Sequence, residues 1–443
     1  MKTTIDKPLA EKKIGYNILR WIVELHIRSN YKFHVVNAEK ADNSSPTLFV
    51  GNHSNSAIDP LIILFSLKRK VYFIARGDVF KGWKAKVFNY FNMIPIFRRE
   101  EGPENMSKNE ESFAAIFAKL NNRGAVTIYS EGNCLQAAHV RKFRKGTARI
   151  CAEFELLNTT NIPLNIQVAG LSYYTWDKFR SDVYLQFGNA FTMHDIDFSK
   201  ANNYAERIHV FNARVESELQ NVVLQIPEEF QPTHFLLDEI IGTLPQYAGI
   251  NKYNIRKSIG EALYAMKPNE LTTLKQHLDS YGTELLSANL KHQNTLTKVK
   301  EYNLLHVIWL LLTVPVFVLG LVLNAVPFFI PSNIAKNKIK VVEFKASVRI
   351  ILAFFISIIY FLILSIITFV TWNWIVGILV FPVSYGMGLL AYEWYKLYEK
   401  IMGRKRWLSN AYIILNNSKN HALQSIATIF EPYFNTALTG NIK

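Results

Sequence analysis

Short apolar runs alternate with amphipathic stretches over the first 200 residues of the chain. The apolar runs predict strands at residues 32–36, 47–51, 71–75, 93–97, 124–129, 163–171 and 183–187. Helical spacing of apolar residues predicts helices at residues 60–67, 108–121 and part of 138–154. Alternating strands and helices are typical of an α/β domain, so we expect a central, mostly parallel sheet over residues 31–200.

Residues 1–30 are predicted to form a separate N-terminal helix. The segment 14–28 places Trp21, Ile22 and Leu25 on one apolar face. Such a face is consistent with a helix that lies on a membrane surface and equally with one that packs on the domain core. The sequence leaves both arrangements open.

Residues 201–300 are more polar than the preceding domain and have helical periodicity. Prolines and glycines mark the expected breaks, at Pro227, Pro232, Pro245, Gly249 and Gly282. We expect several packed helices in this segment, without a pattern that indicates catalysis.

The hydrophobic pattern changes sharply after Asn303. Residues 304–330 are apolar at all but three positions, and residues 350–392 contain no charged residue. A membrane-spanning helix needs about 20 predominantly apolar residues. We therefore expect a membrane region over residues 304–395, with an unusually apolar soluble bundle as the alternative.

Two spans are predicted inside this region, at about residues 350–371 and 374–395. The segment 304–330 is predicted to be kinked or re-entrant, because it contains or adjoins helix-breaking residues at Pro315, Gly320, Pro327 and Pro331. Residues 396–443 are expected to form a basic C-terminal tail.

The chain of 443 residues carries 50 Lys and Arg against 35 Asp and Glu, which gives a net charge of +15. This balance indicates a polyanionic partner, either nucleic acid or anionic lipid. Basic residues bracket the apolar stretches, at residues 336–349 and 396–406, where lipid headgroups would lie. No motif interleaves aromatic and basic residues, so the pattern favours membrane lipids and argues against nucleic acid.

Charge and cysteine content also indicate a cellular location. Short cytoplasmic loops collect Lys and Arg. The first apolar stretch, residues 14–27, is interrupted by charged residues and is not typical of a signal peptide. Cys134 and Cys151 lack the spacing of a zinc site and fit a reducing compartment. We expect an integral membrane protein whose first half lies on the cytoplasmic side.

The segment GNHSNSAIDP places His53 and Asp59 directly after a predicted strand. A histidine whose ring is oriented by a carboxylate can act as a general base and take a proton from a hydroxyl. Each residue also has a simpler interpretation. Asp59 precedes a proline, which is typical of a helix N-cap, and His53 is compatible with an ordinary polar turn.

Three more segments place charged residues or glycine near strand ends. The run IPIFRR reaches Arg98, a residue type suited to bidentate phosphate recognition. The run IYSEGN contains Glu131 and Gly132, and glycine lets a ligand approach backbone N–H groups. The run RKFRKG, residues 141–146, is strongly basic. Each of them alone is also typical of a surface loop.

In this order, the segments resemble the glycerolipid acyltransferase family, whose members acylate glycerol 3-phosphate and lysophosphatidate. NHSNSAID resembles the family's Asn-His-x-Ser-x-x-Asp-like block, and NMIPIFR resembles its Gly-x-Ile-x-x-x-Arg strand end. YSEGNC and FRKG resemble Phe-Pro-Glu-Gly-Thr-Arg and the Phe-Lys-x-Gly that follows it, and residues 162–164 resemble the Val-Pro strand. The resemblance covers residues 33–190.

Three features depart from that pattern. Five residues separate His53 from Asp59 where the family has four, a spacing that is similar to the fungal-type glycerol 3-phosphate and dihydroxyacetone phosphate acyltransferases, which also carry C-terminal spans. Asn92 replaces a glycine, and Asn133 with Cys134 replaces the Thr-Arg pair. The last change implies that basic residues elsewhere carry more of the acceptor's phosphate charge.

The resemblance implies acyl transfer from acyl-CoA or acyl carrier protein to a hydroxyl of glycerol 3-phosphate or 1-acylglycerol 3-phosphate. His53 would be the general base and Asp59 would orient it, with no acyl-enzyme, metal or further cofactor. The acceptor and its phosphate would be bound by Asn52, Arg98, Glu131, Gly132, Arg144 and Lys145. Membrane lipids, the acyl donor and the glycerol-phosphate acceptor are the expected partners.

Two alternatives remain open at this stage. Cys134 lies next to the acidic-glycine turn, so a thiol nucleophile is one alternative, although no additional His or Asn pattern supports it. The altered spacing and the missing Thr-Arg pair are also compatible with an inactive membrane scaffold that retains the acyltransferase fold.

Overall fold

Seven strands of the first half of the chain form one sheet in the computed structural model, which describes residues 13–97, 107–158, 162–231, 233–296, 304–409 and 413–442. The strands are β1 (Tyr31–Val36), β2 (Thr47–Gly51), β3 (Val71–Arg76), β4 (Met93–Ile96), β5 (Ala125–Tyr129), β6 (Asn165–Tyr173) and β7 (Ser181–Phe191). Their order is β1-β7-β6-β2-β5-β3-β4, and neighbours are parallel except for β6 and β7. The α/β fold predicted from the hydrophobic pattern is confirmed.

The centre of the sheet is buried on both faces. Residues Leu48, Phe49 and Val50 of β2 have no exposed surface, as expected for a continuous apolar run in a parallel sheet. The accompanying helices are α1 (Lys13–Asn30), α2 (Ile58–Ser66), α3 (Trp83–Tyr90), α4 (Lys108–Asn121) and α5 (Gly146–Leu157). Because β2, β5 and β6 are parallel neighbours, their carboxyl ends meet at one edge of the sheet.

One further helix, α6 (Tyr204–Val222), packs on β6 and β7. Its buried face recurs every four positions, at Phe211, Val215 and Leu219. The sheet unit therefore comprises Met1–Leu224 together with Val341–Ser347, and it extends beyond the boundary predicted at residue 200. The helix is polar overall, which conceals in the sequence that its apolar stripe covers the sheet.

The apolar face of α1 is exposed. Trp21 is 64% exposed and Leu25 is 45% exposed, whereas Arg20 donates hydrogen bonds to the carbonyl oxygens of Leu64 and Leu67. The face predicted from the sequence is thus not packed on the sheet core, and its position on a membrane surface stays a prediction.

The second unit, Gln225–Lys340 with Val348–Lys443, is helical in its described residues. Its helices are α7 (His234–Ile241), α8 (Lys252–Ala265), α9 (Pro268–Ser287), α10 (Leu304–Lys338), α11 (Val342–Thr371, which begins in the first unit), α12 (Trp374–Ser409), α13 (Ile413–Ser425) and α14 (Glu431–Ile442). Helix α13 packs on α9, and α14 packs on α8. The segment predicted as a basic tail is therefore folded onto the preceding helices.

Three described helices, α10, α11 and α12, have the length and apolar composition needed to cross a membrane. They lie where the sequence predicts a membrane region. The segment predicted as kinked or re-entrant belongs to α10, a single helix that contains Pro315, Pro327 and Pro331. The number of membrane crossings stays a prediction.

Helices α10 and α12 pack closely through small and polar residues. A Cβ atom on Gly320 would lie 2.3 Å from the carbonyl oxygen of Met387, so only glycine permits this approach. Asn324 donates a hydrogen bond of 2.8 Å to the carbonyl oxygen of Ser384. Small residues and interhelical hydrogen bonds are typical of helix pairs in membranes.

Candidate active site

A histidine–aspartate pair lies at the carboxyl edge of the sheet. His53 follows β2, and Asp59 lies in the first turn of α2. The His53 Nδ1 and Asp59 Oδ2 atoms are 2.8 Å apart, with the aspartate side chain fully buried and the histidine side chain 20% exposed. Because the carboxylate engages Nδ1, Nε2 is the ring nitrogen that can exchange a proton with a substrate.

The Asp59 carboxylate accepts further hydrogen bonds. Its Oδ2 atom accepts the backbone N–H groups of Ser54 and Asn55, each at 2.8 Å, and its Oδ1 atom accepts the Tyr173 hydroxyl at 2.5 Å. The N-cap of α2 is Ala57, so Asp59 is not the helix cap that its position before a proline also predicted. The carboxylate instead fixes the turn that carries the histidine.

Two tyrosines adjoin the pair. The ring of Tyr129 stacks on the ring of His53, with centroids 4.2 Å apart and planes inclined by 13°. Burial, followed by the charge of Asp59, raises the pKa of both the Tyr129 and the Tyr173 hydroxyl well above the usual value. Both hydroxyls are therefore protonated at neutral pH, as the hydrogen bond from Tyr173 to Asp59 requires.

Glu131 holds the backbone of the histidine turn from the other side. Its Oε2 atom accepts the His53 N–H at 3.1 Å and lies 2.5 Å from Nη2 of Arg141, while Oε1 accepts the Arg141 N–H at 3.0 Å. Burial raises the pKa of Glu131, and the guanidinium and the two N–H donors oppose that shift. The same guanidinium donates to the His53 carbonyl at 3.3 Å, so Glu131 and Arg141 together brace His53.

Gly132 and Arg144 lie side by side. Gly132 has φ +80°, and a Cβ atom there would lie 2.7 Å from Cγ of Arg144, so the turn needs glycine for both reasons. Arg144 and Lys145 are exposed, just before α5. Their charges are therefore accessible to a solvent-borne anion.

One of the predicted binding residues, Asn52, is hydrogen-bonded to the protein's own backbone. Asn52 is 2% exposed, and its amide both donates to and accepts from the backbone of Leu171, each at 2.8 Å. It ties the end of β2 to β6, which uses the polar groups that would otherwise face a substrate. Arg98 lies outside the described residues.

The structure also bears on Cys134. Its sulfur accepts the backbone N–H of Ser56 at 3.0 Å. Burial, with a contribution from Asp59, raises the pKa of the Cys134 thiol to about 12. A thiolate is the nucleophilic form, so this thiol has the wrong protonation state for covalent catalysis near neutral pH.

Several contacts of this site were not predicted from the sequence. The segment 141–146 was recognisable as basic, but nothing in it singled out Arg141 as the partner of Glu131. Tyr173 ends the strand that neighbours β2, so the expectation that parallel strands end at one edge could have found it. Ser347, whose Oγ atom accepts the Ala57 N–H at 3.1 Å, had no such signal.

The comparisons with known proteins fall on the same part of the chain. Residues 32–167 match the family model described as Acyltransferase. A solved structure, the 1-acyl-sn-glycerophosphate (LPA) acyltransferase PlsC from Thermotoga maritima, is similar at 18% identity and a TM-score of 0.32, over 47% of this chain and 83% of that one. A comparison with curated protein sequences found no match. Residues 32–167, with the His53–Asp59 pair and the Glu131–Arg141 pair among them, form a domain of the Acyltransferase family.

Proposed function

We propose that this protein transfers a fatty acyl chain from acyl-CoA or acyl carrier protein to a hydroxyl of glycerol 3-phosphate or 1-acylglycerol 3-phosphate in phospholipid biosynthesis. The observation that carries the proposal is the 2.8 Å contact between His53 Nδ1 and Asp59 Oδ2 inside an Acyltransferase-family domain. A buried carboxylate on one ring nitrogen leaves the other nitrogen as a general base.

His53 Nε2 takes the proton of the acceptor hydroxyl, and the oxygen attacks the thioester carbonyl. The resulting tetrahedral oxyanion collapses, the carbon–sulfur bond breaks, and the leaving thiolate takes the proton back from the imidazolium. Asp59 stabilises the imidazolium between these steps. The raised thiol pKa of Cys134 supports direct transfer without an acyl-enzyme.

The acceptor's phosphate is assigned to the basic side chains that remain exposed. Arg144 lies against Gly132, and Lys145 follows it, whereas the guanidinium of Arg141 is already engaged by Glu131 and Asn133. We include Arg98 because it follows β4 in the chain and completes the motif of the family. In this arrangement Glu131 braces the site and does not contact the phosphate.

We also propose that the protein is anchored in the membrane with this domain on the cytoplasmic side, where acyl thioesters are available. The support is the three apolar helices and the basic residues that flank them. Single cysteines introduced by Lys340→Cys and Asn373→Cys test the predicted hairpin of α11 and α12. The background protein has the native cysteines, Cys134 and Cys151, replaced. Labelling of the two positions from opposite sides is expected, and labelling from the same side contradicts the model.

Activity is the direct test. Purified protein receives radiolabelled acyl-CoA or acyl carrier protein with glycerol 3-phosphate, and separately with lysophosphatidate. A general base contributes about 10²–10⁴-fold to the rate. His53→Ala removes that base and should therefore leave no detectable product. The acceptor and donor that yield product identify the substrates.

A second histidine–aspartate pair provides a matched control. His34 Nε2 lies 3.1 Å from Asp182 Oδ1, and its ring stacks on Tyr184 with centroids 4.9 Å apart, so the same residue types meet here in an exposed position. His34→Ala should retain full activity. Equal loss in both variants would indicate damage to the fold, and full activity of His53→Ala would exclude the mechanism. A wild-type protein without any activity would favour the inactive scaffold.

A further inference from the structure

The turn between His53 and Asp59 is one residue longer than the acyltransferase motif it resembles. The backbone N–H groups of residues 54–57 each donate a hydrogen bond to a side chain. Ser54 and Asn55 donate their N–H groups to Asp59. The Asn55 side chain also donates to the Tyr31 hydroxyl at 3.0 Å. These bonds account for the first half of the turn.

The second half of the turn begins with strained backbone. Ser56 has φ +27°, a conformation that a residue with a side chain rarely adopts. Such a conformation persists only where the surroundings impose it. The Ser56 N–H donates to Cys134 Sγ at 3.0 Å, so Cys134, which occupies the place of the motif's arginine, supplies one such restraint.

The next residue is restrained by a distant part of the chain. Ala57 donates its N–H to Ser347 Oγ at 3.1 Å, across 290 positions of sequence. The Ser347 hydroxyl lies 3.4 Å from both the carbonyl and the side-chain oxygen of Asn55, so it bridges the turn. Ser347 is 2% exposed, and the segment Val341–Ser347 belongs to the sheet unit.

A second contact supports the placement of this segment. Gln136 donates to the carbonyl oxygen of Val342 at 3.4 Å, and Glu343 is close enough to influence the Cys134 thiol electrostatically. The family match ends at residue 167, so the segment lies far outside it. The first turns of α11, up to Ser347, thus belong to the same unit as the histidine turn and contact that turn.

We propose that Ser347 and Cys134 are positioning residues that hold the lengthened turn so that Asp59 and His53 stay aligned, a role that rests on the acyltransferase function proposed above. The extra residue is accommodated at Ser56, whose backbone is strained. Cys134 accepts the N–H of Ser56 and Ser347 accepts the N–H of Ala57, so the backbone is held on both sides of the strained residue.

Steady-state kinetics of full-length Ser347→Ala test the proposal. A misplacement of about 1 Å in a catalytic group can cost about 10²-fold in rate, and a loosened turn should cost about tenfold in kcat. The KM values for donor and acceptor should stay within twofold, because Ser347 is buried and the proposal gives it a contact to the turn and none to either substrate. Ser112→Ala is the control, since Ser112 is a buried serine that donates to the carbonyl oxygen of Lys108 in its own helix.

Cys134 supplies a conservative pair of variants. Cys134→Ala removes the acceptor for the Ser56 N–H and should lower kcat as Ser347→Ala does. Cys134→Ser keeps an acceptor in place and should recover most of that loss. Amide hydrogen exchange of a peptide spanning residues 52–59 should be faster in the two alanine variants than in Ser112→Ala.

The outcomes separate the two proposals. If Ser347→Ala keeps kcat within twofold of Ser112→Ala, if its loss lies in KM, or if exchange of the turn is unchanged, the positioning role is wrong while the function stands. If the wild type does not transfer acyl groups, or His53→Ala is fully active, the proposed function is wrong and the positioning role falls with it.

Discussion

The carboxylate of Glu131 and the guanidinium of Arg141 form a buried ion pair, 2.5 Å between Oε2 and Nη2, that encloses the backbone of the histidine turn. The Glu131 side chain is 2% exposed and that of Arg141 is 15% exposed. Such a pair is strongly destabilised when one partner is removed, because the other charge stays buried.

Glu131→Gln should therefore lower both stability and activity. Removing one partner of a buried pair costs about 3–5 kcal/mol, and the loosened turn should reduce kcat/KM by at least about tenfold. Thermal unfolding in detergent and the acyl-transfer assay measure the two effects. Glu153→Gln removes an exposed pair with Arg149, 3.5 Å apart, and should change neither quantity appreciably. Similar effects of the two substitutions would mean that burial of the pair is unimportant.

Tyr173→Phe should impair catalysis while preserving the fold. It removes the hydroxyl that donates to Asp59 Oδ1 at 2.5 Å, and a hydrogen bond to a charged group contributes about 1.5–3 kcal/mol. We expect kcat to fall and KM to stay unchanged. Tyr247→Phe is the control, since the Tyr247 hydroxyl donates to neutral Asn435 at 2.8 Å in the second unit. An unchanged kcat in Tyr173→Phe would show that Asp59 is positioned without the tyrosine.

Cys134 should react slowly with thiolate-directed reagents. With a pKa of about 12, only about 10⁻⁴ of this thiol is ionised at pH 8, against roughly a quarter of a free cysteine with a pKa near 8.5. Iodoacetamide labelling of the native protein at pH 8, followed by mass spectrometry of the Cys134 peptide, should be about a thousandfold slower than in denaturant. Fast labelling of native Cys134 would restore the thiol nucleophile as a candidate.

A buried histidine in the second unit should make stability depend on pH. His292 is 1% exposed, its Nδ1 lies 2.9 Å from the Tyr281 hydroxyl, and burial lowers its pKa from 6.5 to about 4. Between these values the unfolded chain binds the proton that the folded protein excludes, so stability falls as the pH decreases from 6.5 to 4.

His292→Gln should make the free energy of unfolding fall less steeply as the pH decreases from 6.5 to 4. This difference in slope is expected even if the substitution changes stability at pH 7. Each unit of pKa difference corresponds to about 1.36 kcal/mol, so the histidine accounts for about 3 kcal/mol of the loss. Unfolding midpoints in detergent at pH 7, 6, 5 and 4.5 measure it for the variant and the wild type. His234, which is also buried with a lowered pKa, titrates in both proteins and cancels in the comparison. Parallel curves would contradict the assignment to His292.

Strands of the sheet were predictable where both faces are buried. Residues 47–51 were expected as a strand and form β2 without a change of bounds, because a covered parallel strand is a continuous apolar run. The strand expected at 183–187 extends to Ser181–Phe191, since the polar residues at its ends, among them Asp182, concealed its length. Helix α6 was detected as helical, but its place on the sheet was not, because an amphipathic stripe does not reveal what covers it.

The sequence by itself determined the α/β class, the apolar membrane region, and the candidates His53, Asp59 and Glu131, since local periodicity and short motifs encode these. Only the tertiary structure decided that Tyr173 donates to Asp59 across 114 positions and that Ser347 reaches Ala57 across 290. It also decided that Arg141 pairs with Glu131 while Arg144 stays exposed. Such contacts depend on which elements pack together, and a single serine or arginine in a sequence carries no mark of its distant partner.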